Sequence, residues 1–495
     1  MNAGNLAAMK RLLVVFTLVL IVALAGCGGG SSGSNQFGGP PGAGFTNASF
    51  SGAYAFKITA TNAGGFFTIA GTLQANGNGA ITSGTMDINS PGTTGVQTNV
   101  SVSGGYTVMS DGRGSVSLLS SVGAVNFSLV MLSAQRALVI RLDAGESASG
   151  SLDLQTTSAF SLTAVAGNFA FNFDGVDGPV QHPEVSAGVF TVDTAGDITA
   201  GVQDTNHNGV LSTNAPMTIG PLAMSAPVNG RGTLALTTLA DGTRHFIYYV
   251  ISANQIRLLG TDSAPVLSGD AFRQTSTTVS GSFAFTLSGT STGGPFVAGG
   301  IINTDGAGNV LVTSVEDTNN GGVVVQSTAV SGPYAVAVTG RGTMTLNGTI
   351  HFAIYPSSAG LQMVQIDTTT IAGGTAFQQS GTFSNSTVNG RYGMNNTGIA
   401  LNGPPTQFDD VAQFTADGAG NYTGNLDVNR IGLPHLGLAM TGTYALSANG
   451  RGAGTLTGVF NPRQNLMYYA ASGTHVLFIE IDLLGATVGD IEQQQ

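Results

Sequence analysis

Apolar and polar residues alternate in short runs along most of this chain, and glycine-containing turns separate the runs, the period-two signature of strands with one buried face. Gly52-Ala53-Tyr54-Ala55-Phe56 is one such run. Gly167-Asn168-Phe169-Ala170-Phe171, Gly281-Ser282-Phe283-Ala284-Phe285 and Gly390-Arg391-Tyr392-Gly393-Met394 repeat its form. Large side chains two residues apart share a strand face, so each run sends a pair into a core. A glycine turn follows at Asn76-Gly77-Asn78-Gly79, Asp305-Gly306-Ala307-Gly308 and Asp417-Gly418-Ala419-Gly420, with a shorter Thr194-Ala195-Gly196-Asp197 in the second case. Glycine supplies the positive φ of a tight hairpin, and Asn or Asp tolerates it. The next strand ends at Asp87-Ile88-Asn89, Asp204-Thr205-Asn206, Asp317-Thr318-Asn319 or Asp427-Val428-Asn429.

Further on, an arginine between glycines returns four times, as Arg113, Arg231, Arg341 and Arg451. Three more apolar runs follow each, the last ending in an acid at Asp143, Asp262, Asp367 or Asp482, and each series closes on Gly-x-x-x-x-Gln at Gln155, Gln274, Gln379 or Gln494. Markers returning in the same order at intervals of about 110 residues mean four copies of one domain. The boundaries expected are 48–155, 156–274, 275–379 and 380–495. Each copy holds about eight short strands joined by hairpin-length turns. Consecutive hairpins predict an antiparallel meander, and closing the sheet removes its two raw edges. The expectation is all-β: four small closed or nearly closed barrels. Their strand order resembles that of lipocalin or avidin-type barrels, a likeness of arrangement that brings no ligand with it. Immunoglobulin-like sandwiches are the alternative.

Residues 1–26 are a different kind of sequence. Lys10 and Arg11 precede an apolar run over 12–24 that only Thr17 interrupts, and Leu24-Ala25-Gly26-Cys27 follows at once. The order is that of a secretory signal, and a run of thirteen residues is too short to span a bilayer. Met9-Lys10-Arg11 makes a more usual start to such a segment than Met1. The ending resembles the lipobox of bacterial lipoproteins, which implies lipidation of Cys27, the chain's one cysteine. It further implies an envelope address outside the cytoplasm. Gly28, where an Asp would favour inner-membrane retention, points to the outer membrane if the cell has one. Residues 27–47, rich in Gly, Ser and Pro, read as a flexible tether.

Composition narrows the partners. Charged residues make up 8% of the chain, with 26 acidic against 15 basic, and removing the leader takes away two of the basic ones. So acidic a surface is repelled by nucleic acid and anionic head groups, leaving the lipid on Cys27 as the membrane contact. A lone cysteine excludes an internal disulfide or a Cys-ligated zinc.

Candidate chemistry is sparse. The repeated arginines read as structural staples that lie across a barrel end and pair with strand-terminating acids such as Asp87 or Asp143 and their counterparts. Asp204, Asn206 and Asn208 stand before Gly209 like the first half of a calcium loop, but the twelfth position is Ala215 rather than a bidentate acid. Gly289-Thr290-Ser291-Thr292-Gly293 matches a nucleophile-elbow pattern and reads as a loop, with no strand-to-helix turn around it. His182, His207, His245, His351, His435 and His475 show no local metal-ligand spacing and read as scattered. Asp409-Asp410 could serve a glycosidase only with a carboxylate facing them across a cleft. No cofactor is expected. The functional expectation is a non-enzymatic surface lipoprotein that binds glycans or surface proteins or builds the envelope. The alternatives are a carrier of small apolar molecules in the barrel lumens, for which Phe283, Phe285, Tyr248 and Tyr355 are the discriminating positions, and an extracellular hydrolase.

Overall fold

Each copy folds as eight antiparallel strands in sequence order, for the reason the pattern gives: alternate residues share a face, and glycine turns reverse the chain after each run. The computed structural model describes residues 44–177, 181–220, 224–274, 276–430, 432–458 and 464–495. The signal segment, Cys27 and most of the 27–47 tether lie outside these. Packed chain begins inside the stretch read as tether: Phe45 is buried and its amide bonds Ser110.

The four sheets run over 51–154, 167–273, 281–378 and 389–493. Copies one, three and four are closed barrels, each first strand pairing with both the second and the eighth. Next-neighbour order throughout leaves no Greek-key sandwich. In copy two the fourth strand (Val210–Pro216) and the fifth (Arg231–Thr238) form no ladder, and isolated bridges Met217 to Thr238 and Met224 to Leu234 span the gap.

Inward positions fill each barrel. Tyr54 and Phe56, Phe169 and Phe171, Phe283 and Phe285, and Tyr392 and Met394 are all buried in their own cores. Short leading segments cover one barrel end. The Tyr106 hydroxyl bonds the Phe50 carbonyl, Tyr334 that of Val279 and Tyr444 that of Val388.

The copies are separate sheets within one compact unit. The first two strands of copy one pack on the sixth to eighth of copy two, and the same surfaces meet between copies two and three and between three and four. The first two strands of copy four then pack on the sixth to eighth of copy one. Four head-to-tail joints thus close into a ring, the outcome available to a heterologous contact whose rotation closes.

Candidate functional site

The repeated sequence markers converge on the joints. Arg231 donates two hydrogen bonds of 2.8 Å to the Asp87 carboxylate of copy one. Arg341 donates to Asp204 of copy two, and Arg451 to Asp317 of copy three. The partner acid therefore belongs to the preceding copy. It is not the strand-terminal acid of the same copy: Asp143, Asp262, Asp367 and Asp482 accept instead from the backbone amides of Asn126, His245, His351 and Asn465 at the start of their own sixth strands.

A tyrosine completes each of these three joints. Tyr249, Tyr355 and Tyr469 stand across the ladder from the arginines and donate their hydroxyls to the same carboxylates. Burial pushes all three phenols well above their usual range, so they stay protonated donors. Tyr355 accordingly faces a joint and not a lumen, unlike Phe283, Phe285 and Tyr248.

Two further markers serve every joint. The Asn89 side-chain amide bonds the Gly260 and Asp262 carbonyls, and Asn206, Asn319 and Asn429 make the equivalent bonds to the following copy. The closing glutamines reach forward too: Gln155 to Val250, Gln274 to Pro356, Gln379 to Ala470 and Gln494 back to Met131 of copy one. The joint between copies four and one is the exception in its arginine. Arg113 pairs with Asp111 two residues away, and Val130 occupies the tyrosine position. Asp427 accepts from Ser128, and Asp409 from Ser147, in place of guanidinium and phenol.

The three calcium-loop candidates have other partners or settings in the fold. Asp204 is committed to Arg341 and Tyr355, and Asn206 to copy three, while Asn208 sits at a positive φ in a hairpin turn. Asp409 and Asp410, being consecutive in a strand, point to opposite faces. Asp409 meets copy one, whereas Asp410 lies with Asn396 inside barrel four. Burial raises Asp409 to about 6, and burial with the neighbouring Asp409 raises Asp410 to about 8. They do not face a common cleft. Gly289 and Ser291 belong to a strand (Gly281–Ser291) running into a hairpin, with Ser291 Oγ on Asn320.

The lumens hold side chains. An apolar recess of about 180 Å³ remains at the mouth of barrel four, lined by Phe408, Leu426, Val428 and Leu456. That is below the roughly 300 Å³ at which pockets for drug-sized ligands begin, while the recess of about 350 Å³ at the mouth of barrel three is lined mainly by polar groups, among them Glu316, Thr318 and Gln365 beside Phe296. One grouping escaped sequence reasoning: Asp177, His182 and His207 come together at the mouth of copy two. No local spacing announces it, because hairpin register and not sequence proximity makes it.

With strands one and two facing one neighbour and six to eight the other, and the closing end of strand three and the strand-five arginines of copies two to four also spent on the joints, the outward surface of each copy is the opening part of strand three, strand four and the rest of strand five. Thr82, Thr199, Thr313 and Thr423 are exposed on the third strands, and Val312, Val323 and Val325 show an exposed face on copy three.

No family model and no curated protein matches this chain. Among solved structures it is similar to the isotype 1 transferrin binding protein B from serogroup B Neisseria meningitidis, with 11% identity and a TM-score of 0.22 over 72% of this chain and 83% of that one. A Haemophilus parasuis transferrin binding protein B mutant gives 11%, 0.22, 73% and 84%. Kievitone hydratase from Nectria haematococca gives 10%, 0.19, 69% and 92%. At these scores the likenesses carry no argument about what this chain does.

Proposed function

We propose that this chain is a non-enzymatic, lipid-anchored envelope protein whose ring of four barrels presents repeated outward faces to polymeric glycans or surface proteins. One observation carries the reading: large side chains occupy the barrel interiors and lateral faces are spent on joints, so the surface left accessible is the one repeated on the opening part of strand three, strand four and the rest of strand five. Repeats held at fixed separations convert weak contacts into avidity without any deep pocket. The acidic balance suits neutral or basic partners and not nucleic acid.

The test is binding of the full chain, purified in detergent, to envelope polysaccharides and surface proteins. Glutamates are placed singly and together at Thr82, Thr199, Thr313 and Thr423. Retention that falls more steeply than additively as faces are altered supports the reading. Stoichiometric uptake of a small apolar molecule, or release of cleaved fragments, would replace it with the carrier or the hydrolase.

A further inference from the structure

Strand register brings two histidines and two acids together at the mouth of copy two. His182 lies opposite Asp177 on the first strand, and Glu184, two residues on, lies opposite His207 on the third. Paired residues and those two apart share a face, so all four side chains stand on one side of the sheet. It is the inward side: the residue in register with Glu184 is Phe67 in copy one, which belongs to that barrel's core, and Phe296 and Phe408 in copies three and four. The positions of Asp177, His182 and His207 are taken by Asn62, Gly65 and Ser90 in copy one, by Ser291, Gly294 and Asn320 in copy three, and by Ala400, Thr406 and Arg430 in copy four. One copy of four has three metal-competent side chains there.

Their candidate ligand atoms lie within 4.8 Å of one another. His207 Nε2 is 2.7 Å from an Asp177 oxygen. Four-coordinate zinc bonded at about 2.0–2.2 Å holds its ligands closer than that spread, so the side chains must draw in by roughly 1 Å. They are free to do so, because His207 and Asp177 each keep about a third of their side chain exposed. A second observation points inward. Glu184 is 1% exposed, and its Oε2 has no hydrogen-bond partner, the nearest cation being Arg244 at 3.6 Å. Asp177, Glu184 and Asp241 gather here against Arg244, so this mouth is richer in carboxyl groups than in strong bases.

We propose that the mouth of copy two binds a divalent first-row transition metal, zinc by preference, through His182, His207 and the Asp177 carboxylate, with the buried Glu184 carboxyl as a neighbour and the outer position left to water. Two imidazoles and one carboxylate suit zinc, copper or nickel, and not calcium or magnesium, which require oxygen-rich sets. A metal here would also tie the ends of the first three strands together in the copy whose sheet is left open.

The test is calorimetric titration of the full chain in detergent with zinc and, separately, calcium, with cobalt absorption as a readout of coordination. One zinc per chain is expected, with calcium silent. His182→Ala and His207→Ala should each weaken zinc binding at least tenfold, while His245→Ala leaves it unchanged. Asp177→Asn, which keeps the shape of the site, guards against misfolding and should weaken binding with an unaltered circular dichroism spectrum. No zinc uptake at neutral pH, or uptake that survives both histidine substitutions, would overturn the proposal.

Discussion

Arg341 of copy three holds the Asp204 carboxylate of copy two in a two-pronged hydrogen bond, 2.7 Å on each side. Asp204 is fully buried, and Tyr355 closes the third side. The Asn214 amide of its own copy also donates to the carboxylate, but among the described residues the charge is countered only by Arg341 of the next barrel, so copy two does not satisfy it alone.

Removing Arg341 should therefore cost more than losing a surface charge. Arg341→Ala strands a buried anion, for which about 3–5 kcal/mol is expected. Arg113→Ala removes a partly exposed pair with Asp111 and should cost no more than about 1 kcal/mol. Urea unfolding midpoints of the two variants make the comparison. Equal, small losses would show that the joints do not rest on the arginines.

The closing joint should be the most sensitive to trimming. Gln494 donates to the carbonyls of Asp111 and Met131, and the Gln495 amide to that of Leu132. Deleting these two residues should lower stability by about 1–3 kcal/mol, the scale of buried acceptors left unpaired. Hydrogen exchange should quicken first in the sixth strand of copy one (Gly123–Ser133), while copy three is unaffected.

Stability should decline from acid towards mildly alkaline pH. Burial raises Glu480 to about 8, reinforced by Asp482, and raises Glu316 to about 7, reinforced by Asp317. Asp410, buried beside Asp409, stands at about 8. These acids hold protons in the fold that the unfolded chain has already released. Stability they contribute is whole below the ordinary carboxylate range and lost as pH rises from about 4 towards 8. Melting temperature should fall across that window, and Asp410→Asn should flatten the fall. An unchanged slope would mean that Asp410 is ionised in the fold.

Much of the architecture was legible because strands announce themselves by alternation and turns by glycine. Tyr54 with Phe56, or Phe283 with Phe285, sufficed to orient a strand, and recurrence supplied the copies. The partner of each marker was not legible. Asp87, Asn89 and Gln155 recur in every copy because each joint recurs, yet periodicity is blind to whether a repeated residue binds within its copy or across to the next. Asp177, His182 and His207 were invisible for a related reason: hairpin register unites them, and sequence spacing does not.

Lipid attachment has its own check. Palmitate labelling of cells should mark the protein, and Cys27→Ser should abolish the label and release the chain from membranes. Label persisting in that variant would place the acyl chain elsewhere.

Ring closure is tested most directly by cross-linking its two ends. Ala144 of copy one is exposed and lies in the turn that meets the exposed Leu433 region of copy four, where Gly432 abuts Gly145. With Cys27→Ser as background, Ala144→Cys and Leu433→Cys are introduced together and treated with a short bismaleimide. A closed ring gives a fast intramolecular link whose rate does not depend on protein concentration. Absence of the link, or a link formed only between chains, would contradict the ring.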